Sequence, residues 1–162
     1  MNDELKKRFK RELSQLIGKE CWGIVTSAGS HISFDFGEKI PREKPLDNKY
    51  LSEDVRKFES EYSFLIFCVW RVDYEQSVAF GAWTENEIVE KDVKKFLGQR
   101  VIDIELSLPA YDLVITFSEG LKLKIFCDQT NEEDQNDNYD FFTPQIIFSV
   151  RHKSVLETEE YK

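Results

Sequence analysis

The amino-acid sequence predicts an α+β protein of two similar units, each a helix packed on antiparallel strands, that share one core. Short runs alternate apolar and polar residues, as strands with one buried face do. Two amphipathic segments each end at a glycine, which is typical of helix ends. The order of elements in the first half also returns in the second, so the fold class and the organisation rest on the same pattern.

The clearest strand pattern runs from Asp112 to Cys127 and predicts a β-hairpin that turns at residues 118–120. The side chains predicted to point into the core are Leu113, Ile115, Phe117, Leu121, Leu123 and Ile125. Lys122 and Lys124 alternate with them and should face water. A register shifted by one residue would bury these lysines instead.

The first half begins with a predicted helix over residues 3–17, because its apolar residues recur at the 3.6-residue period and Gly18 can end it. A hairpin over 20–26 and 32–36 follows. The segment 38–60 contains two prolines and predicts a long surface connection, with a short helix capped by Ser52.

The middle of the chain predicts a central strand over residues 62–72, since this run is apolar on both faces. Residues 78–83 are its expected hairpin partner. The pattern from Thr84 to Glu87 is typical of a capping box and predicts a helix that ends at Gly98.

The second half continues with a predicted strand over 101–106 and then the hairpin already described. The acidic segment 128–140 is predicted to be a loop, and residues 141–150 a last strand interrupted by Pro144. Residues 152–162 form a polar tail that we expect to fray.

An internal repeat is suggested by three matching stretches. Residues 13–24 align with 93–104, and 32–40 with 113–121; the third match pairs 62–72 with 139–150. This predicts repeat units over about 3–83 and 84–151 inside a single compact domain spanning 1–162. Chance similarity between amphipathic segments is the alternative.

The charge balance of 22 basic and 31 acidic residues leaves a formal charge of −9. Such a charge repels nucleic acid phosphates and anionic lipid surfaces, so we expect neither as a partner. The basic run Lys6, Lys7 and Arg8 is interpreted as a solvated helix face.

Three widely separated cysteines lack metal-ligand spacing and predict reduced thiols. The first residues are charged, and no apolar run approaches the roughly 20 residues of a membrane span. These features predict a cytoplasmic protein without a membrane segment.

Catalysis has no clear signature in the sequence. His31, Ser33 and Asp35 share one strand face, but such neighbours lie about 6.5–7 Å apart, and a triad needs contacts of about 2.6–3.2 Å. We therefore expect no catalytic residue, cofactor or bound metal. The alternative is an enzyme or metal-binding domain that uses the carboxylates of the 128–140 loop.

Short blocks at Leu97–Gly98, Val101, Asp112–Phe117 and Gly120–Phe126 follow the patterns xLGxxV, DLxIxF and GxxLxIF. In these blocks the chain resembles uncharacterised bacterial domains and toxin-immunity proteins. The resemblance implies a small protein that neutralises a toxin by binding it. No functional residue is carried over, because the blocks are packing patterns.

The acidic composition favours a basic protein partner, such as a toxin domain, because complementary charge speeds encounter and orients the complex. The contact residues predicted on the acidic loop are Glu132, Glu133, Asp134, Asp137, Tyr139 and Phe141. Tyr50 and Phe58, on the other long connection, are secondary candidates. The oligomeric state does not follow from the sequence.

Overall fold

The computed structural model describes residues 3–27, 30–131 and 136–161. The first half contains α1 (Asp3–Ser14), β1 (Cys21–Thr26), β2 (Ile32–Pro41), α2 (Glu53–Lys57), β3 (Phe58–Ile66), β4 (Val69–Tyr74) and β5 (Ser77–Gly81). The second half contains α3 (Asn86–Asp92), a 3₁₀ helix (Val93–Phe96), β6 (Val101–Ser107), β7 (Asp112–Phe117), β8 (Leu121–Phe126), β9 (Tyr139–Phe142), β10 (Ile146–Val150), a 3₁₀ turn (His152–Ser154) and β11 (Leu156–Glu160).

The strands form two antiparallel sheets. One has six strands in the order β1-β2-β3-β9-β10-β11, and the other has five in the order β5-β4-β8-β7-β6. Their inner faces meet in one apolar core, where Phe36 of the first sheet stacks on Phe117 of the second at 6.2 Å between ring centroids. The predicted α+β class is confirmed.

The β7-β8 hairpin has the predicted register. All six apolar side chains assigned to its inner face are buried, Lys122 is exposed and Lys124 is half-buried. The alternation therefore identified the core face of this hairpin correctly.

The predicted single strand over 62–72 is wrong, because the chain leaves one sheet and enters the other inside it. β3 ends at Ile66 and β4 begins at Val69 in the other sheet. The amides of Phe67 and Cys68 between them both donate to the Asn138 carbonyl, at 3.0 and 3.1 Å. The run is apolar on both faces because its two parts serve different sheets.

The C-terminal region also differs from expectation. The predicted strand over 141–150 is the β9-β10 hairpin, in which the Thr143 hydroxyl donates to the Ile146 carbonyl at 2.8 Å. The tail expected to fray instead forms β11, which pairs with β10 from Val150–Leu156 to Ile146–Glu160. Polar side chains permit this because β11 is an edge strand with mostly exposed residues.

The two sheets follow the same order when β1 to β5 are matched with β6 to β10. In each half the fourth and fifth strands join the other half's sheet. By position in the sheets, β3 corresponds to β8 and β4 corresponds to β9. The predicted match of residues 62–72 with 139–150 instead sets β3 against β9, so it does not follow the topology. A common origin of the halves stays a prediction.

The halves meet at a junction with reciprocal hydrogen bonds. Gly18 N–H donates to the Val101 carbonyl at 2.7 Å, and Gly98 N–H donates to the Cys21 carbonyl at 2.8 Å. The Val101 amide donates to the Lys19 carbonyl, and the Cys21 amide donates to the Gln99 carbonyl. Each of these bonds therefore has a counterpart in which both residues are replaced by those 80 positions away in the other half. Both glycines have φ near +90°, at +89° and +87°, which a residue with a side chain adopts only under strain.

Helices close the two open sides of the core. Phe9 of α1 packs on Tyr111, Phe141 and Phe148, and Phe96 packs on Phe34 and Phe117. Within residues 3–27, 30–131 and 136–161, no helix combines the length and apolar character needed to span a bilayer.

Candidate functional site

The predicted contact residues do not form one surface. Glu132, Glu133 and Asp134 lie outside the described residues. Tyr139 and Phe141 were expected to be exposed, and this is wrong because both are completely buried. They are the inward side chains of β9, a strand in the middle of its sheet.

Each of these two aromatic side chains has a structural partner inside the core. Phe141 stacks on Phe64 with ring centroids 4.7 Å apart. The Tyr139 hydroxyl donates to the Tyr111 carbonyl at 2.8 Å. Neither side chain is therefore available to a partner in this conformation.

Asp137 is half-buried and lies against Arg151, with 2.8 Å between Asp137 Oδ1 and Arg151 Nε. The Nε–H has no hydrogen-bond acceptor, so the contact is an ion pair without an aligned hydrogen bond. Asp140 lies beside Asp137. Burial and a hydrogen bond with Asp137 raise the pKa of Asp140 to about 7.

Hydrogen bonds attach both ends of the acidic segment to the rest of the protein. The Asp128 carboxylate accepts from the Val69 amide at 3.2 Å, and the buried Asn138 side chain accepts from the Gln129 amide at 2.9 Å. The Asn138 side chain also donates to the Arg151 carbonyl at 2.9 Å. The segment is thus attached where the chain crosses between the sheets.

Trp83, which the sequence pattern placed only at the end of a strand, is the most exposed tryptophan. It is 88% exposed, whereas Trp22 is 7% and Trp70 is 2% exposed. Tyr50, a secondary candidate, is equally exposed, but Phe58 is half-buried. An exposed tryptophan is unusual enough to mark a binding surface.

A fixed turn presents Trp83. The Gly81 amide donates to the Thr84 hydroxyl at 2.9 Å, and the Thr84 amide donates back to the Gly81 carbonyl at 3.0 Å. Thr84 therefore closes this turn in place of the predicted capping box. The N-cap residue of α3 is Glu85, whose side chain makes no capping hydrogen bond.

The surroundings of Trp83 are acidic. Residues 82–90 contain three glutamates and no lysine or arginine, and Glu85, Glu87 and Glu90 are all exposed. The sequence gives only a weak signal for this surface, because Trp83 ends a run predicted to be a strand and only the acidic residues after it set it apart.

Trp83 and the acidic segment leave the five-stranded sheet at the same end. β4 lies between β5 and β8. At the beginning of β4, the Ala82 amide donates to the Trp70 carbonyl on one side, and the Val69 amide donates to Asp128 on the other. We call this end of the molecule, with Trp83, Glu85, Glu87, Glu90 and Asp128, the acidic end.

A cleft of about 180 Å³ opens at the acidic end. Its walls include Ser27, His31, Trp70, Asn86 and Glu90. The Trp70 indole donates to the Ser30 carbonyl at 2.7 Å, which holds the wall of the cleft in place.

His31, Ser33 and Asp35 have separate surroundings. The His31 ring packs edge-on against Phe67 at 5.0 Å, and the Asp35 carboxylate accepts from the Ser60 hydroxyl at 2.9 Å. Burial raises the pKa of Asp35. Across the part of the chain that the structure describes, no three His, Cys, Asp or Glu side chains are placed to hold a metal ion.

A wider groove of about 600 Å³ lies at the far end of β4, beside Tyr74, Phe80, Lys95 and Glu119. It is more open and carries both charges, so it indicates no particular ligand.

Comparison with known protein families, with curated proteins and with solved structures found no match. The function therefore has to be argued from the geometry of the chain itself.

Proposed function

We propose that this protein is a non-catalytic binding protein for a basic protein partner, and that it neutralises a toxin by covering it, as immunity proteins do. The observation that carries the proposal is Trp83, an exposed tryptophan on a hydrogen-bonded turn within an acidic surface. Tryptophan is among the residues that contribute most to protein interfaces, and a rigid turn lowers the entropy lost on binding.

The acidic segment has a second role in this proposal. Glu132, Glu133, Asp134 and Asp137 supply negative charge that attracts a basic surface over a distance and speeds association. The hydrogen bonds of Asp128 and Asn138 attach the described ends of this segment at the same end of the five-stranded sheet as Trp83. Encounter and anchoring would thus use the same end of the molecule.

Affinity capture from the native cell extract tests the tryptophan. The wild type is compared with Trp83→Ala and with Tyr50→Ala, which removes an equally exposed aromatic ring from another segment. A basic protein retained by the wild type and by Tyr50→Ala, but lost with Trp83→Ala, would support the proposal. Equal retention by all three would refute it.

Growth measurements test the toxin-neutralising part. The captured protein is expressed in a bacterial host alone, with the wild type and with Trp83→Ala. We expect growth inhibition that the wild type relieves and that Trp83→Ala relieves less. A captured protein that does not inhibit growth would contradict the immunity reading while leaving the binding surface in place.

Charge substitutions test the acidic segment. The variant E132Q/E133Q/D134N is compared with E38Q/E43Q/D47N, which removes the same charge from exposed positions elsewhere. We expect slower association with the captured partner and a weaker salt dependence in the first variant. Identical association rates in both variants would exclude a special role for the segment.

The alternative function, a carboxylate-based enzyme or metal site, is favoured by the neighbouring carboxyl groups of Asp137 and Asp140, whose interaction helps to raise the pKa of Asp140. Calorimetric titration with Ca²⁺ tests its metal-binding form. Binding abolished by Asp137→Asn would support it, whereas no heat of binding to the wild type would argue against it.

We also propose that the two halves arose by duplication and that the protein acts in a reducing cytoplasm. The corresponding strand orders support the first point. The three free cysteines support the second, since reducing compartments keep thiols unpaired.

A further inference from the structure

We propose that the cleft at the acidic end receives an arginine side chain of the basic partner, with the Glu90 carboxylate paired to the guanidinium and the Trp83 indole packed beside it. This inference rests on the proposed function and specifies the partner's chemistry.

The size of the cleft favours a single side chain. Its volume is about 180 Å³, whereas pockets for drug-sized ligands measure about 300–1,000 Å³. Part of the lining comes from Ala82 and from Asn86, Val89 and Glu90 of α3, and another part from Thr26, Ser27, Ser30 and His31. A narrow cleft of this kind suits an extended side chain that enters from a partner's surface.

The polar groups of the cleft match a guanidinium. The lining includes Ser27, Asn86 and Glu90. The Ser27 hydroxyl donates to the His31 carbonyl at 3.4 Å and can still accept a hydrogen bond, the Asn86 side chain has an amide oxygen that can accept one, and Glu90 carries a negative charge. A guanidinium carries five N–H donors in one plane and no acceptor, so it can use several of these groups together.

The charge of the cleft also favours a cation. Glu90 is the only carboxylate among the described residues that line it, and neither lysine nor arginine is among them. His31 is the other titratable group in the lining.

The position of Trp83 leads us to expect that the cleft binds arginine more tightly than lysine. Ala82 lines the cleft, and Trp83 is the next residue on the fixed turn. A planar guanidinium stacks on an indole face, whereas an ammonium ion is more compact and more strongly hydrated. We therefore expect selectivity within the class of basic side chains.

The test uses a short peptide that alternates glycine and arginine, with lysine and citrulline peptides of the same length as controls. The Trp83 signal is the difference in emission between the wild type and Trp83→Ala, because Trp70 also lines the cleft, and calorimetry gives the affinity for each variant. We expect the arginine peptide to bind most tightly and to change the Trp83 emission. The neutral citrulline peptide should not bind.

The variants connect affinity to particular side chains. Trp83→Ala should weaken binding of the arginine peptide by about 2- to 30-fold, the range of a cation–π contact. Glu90→Gln should weaken it by about 5-fold, because a charge-assisted hydrogen bond becomes neutral. Tyr50→Ala and Glu43→Gln are matched controls and should bind like the wild type; circular dichroism verifies that each variant is folded.

Equal affinity for the lysine and arginine peptides, or unchanged affinity in folded Glu90→Gln, would overturn this inference. If Trp83→Ala loses the native partner but binds the arginine peptide like the wild type, the inference fails and the proposed function stands. If the arginine peptide behaves as expected and the native partner binds Trp83→Ala as tightly as the wild type, the proposed function fails and the cleft assignment stands.

Discussion

The two sheets correspond in strand order, yet their outer faces differ. Trp22 and Ile102 lie 80 residues apart, each at an irregularity in the first strand of its half. Trp22 is 7% exposed and lies beneath Lys39, whose amine is 5.6 Å from the indole centroid and 2.9 Å from an Asp54 oxygen of α2. Ile102 is 54% exposed.

The two halves differ in where their long connection lies. In the first half the long connection joins β2 to β3 and carries α2, which packs on the outer face of β1 and β3. In the second half β7 turns directly into β8, and the long connection is the acidic segment between β8 and β9. The same arrangement of strands thus carries a covered face in one half and an acidic segment in the other.

The largest expected effect tests the correction at β9. Phe141→Ala should lower the free energy of unfolding by about 3–5 kcal/mol, because a wholly enclosed ring is replaced by a cavity. Urea denaturation measures it, with Phe142→Ala, a half-buried neighbour, as the control. A loss below that of Phe142→Ala would contradict the placement of Phe141 in the core.

The next effect tests the two outer faces directly. Trp22→Ala should cost about 2–3 kcal/mol, less than a wholly enclosed ring, since Trp22 lies outside the shared core. Ile102→Ala should stay within about 0.5 kcal/mol, as surface substitutions usually do. Equal losses of unfolding free energy at the two positions would show that α2 and its connection do not stabilise the protein by burying Trp22.

A smaller effect tests the equivalence of the halves at their junction. Gly18→Ala and Gly98→Ala should each cost about 1–2 kcal/mol, because both glycines have positive φ. An added Cβ meets no atom within 4 Å at either position, so only the backbone contributes. Thermal unfolding should give similar losses; a clear difference would break the correspondence.

The smallest effect concerns pH. The pKa of Asp140 is raised to about 7, so the folded state holds a proton that the unfolded state has released above about pH 4. Stability should therefore fall as pH rises from about 4 to 7. Burial and, after it, Asp137 raise the pKa of Asp140, whereas Ser149 and Arg151 lower it.

Asp140→Asn removes this titration and should flatten the decline. The gain at pH 8 should be below about 1 kcal/mol, because partial exposure screens the carboxyl group. Denaturation midpoints at pH 5 and pH 8 measure it. A wild-type stability that rises across this interval, with no change in the variant, would contradict the assignment.

Much of the fold was predictable because it depends on local periodicity. The β7-β8 hairpin alternated strictly, and its inner residues were identified individually. The segment from Phe64 to Trp70 was not predictable in this way, since an apolar run looks the same whether it stays in one sheet or crosses to another. The Asn138 carbonyl that receives the crossing amides lies about 70 residues further along the chain.

The candidate site was predictable only in its charge. The acidic segment was evident from composition, but Tyr139 and Phe141 were assigned to its surface because a polar run precedes them. Pairing of β9 between β3 and β10 turns both rings inward. Trp83 carried no strong signal, since only the turn closed by Thr84 removes it from the alternating strand.

The sequence by itself determined the α+β class, the turns at Gly18 and Gly98 and the inner face of the β7-β8 hairpin, because neighbouring residues specify these features through periodicity and backbone freedom. The predicted helix over 3–17 is shorter in the structure, where α1 ends at Ser14. The tertiary structure alone decided which sheet receives each hairpin, which aromatic rings are enclosed and how the cleft lined by Trp70 and Glu90 is assembled. These depend on contacts between residues far apart in the chain, and local patterns do not encode such contacts.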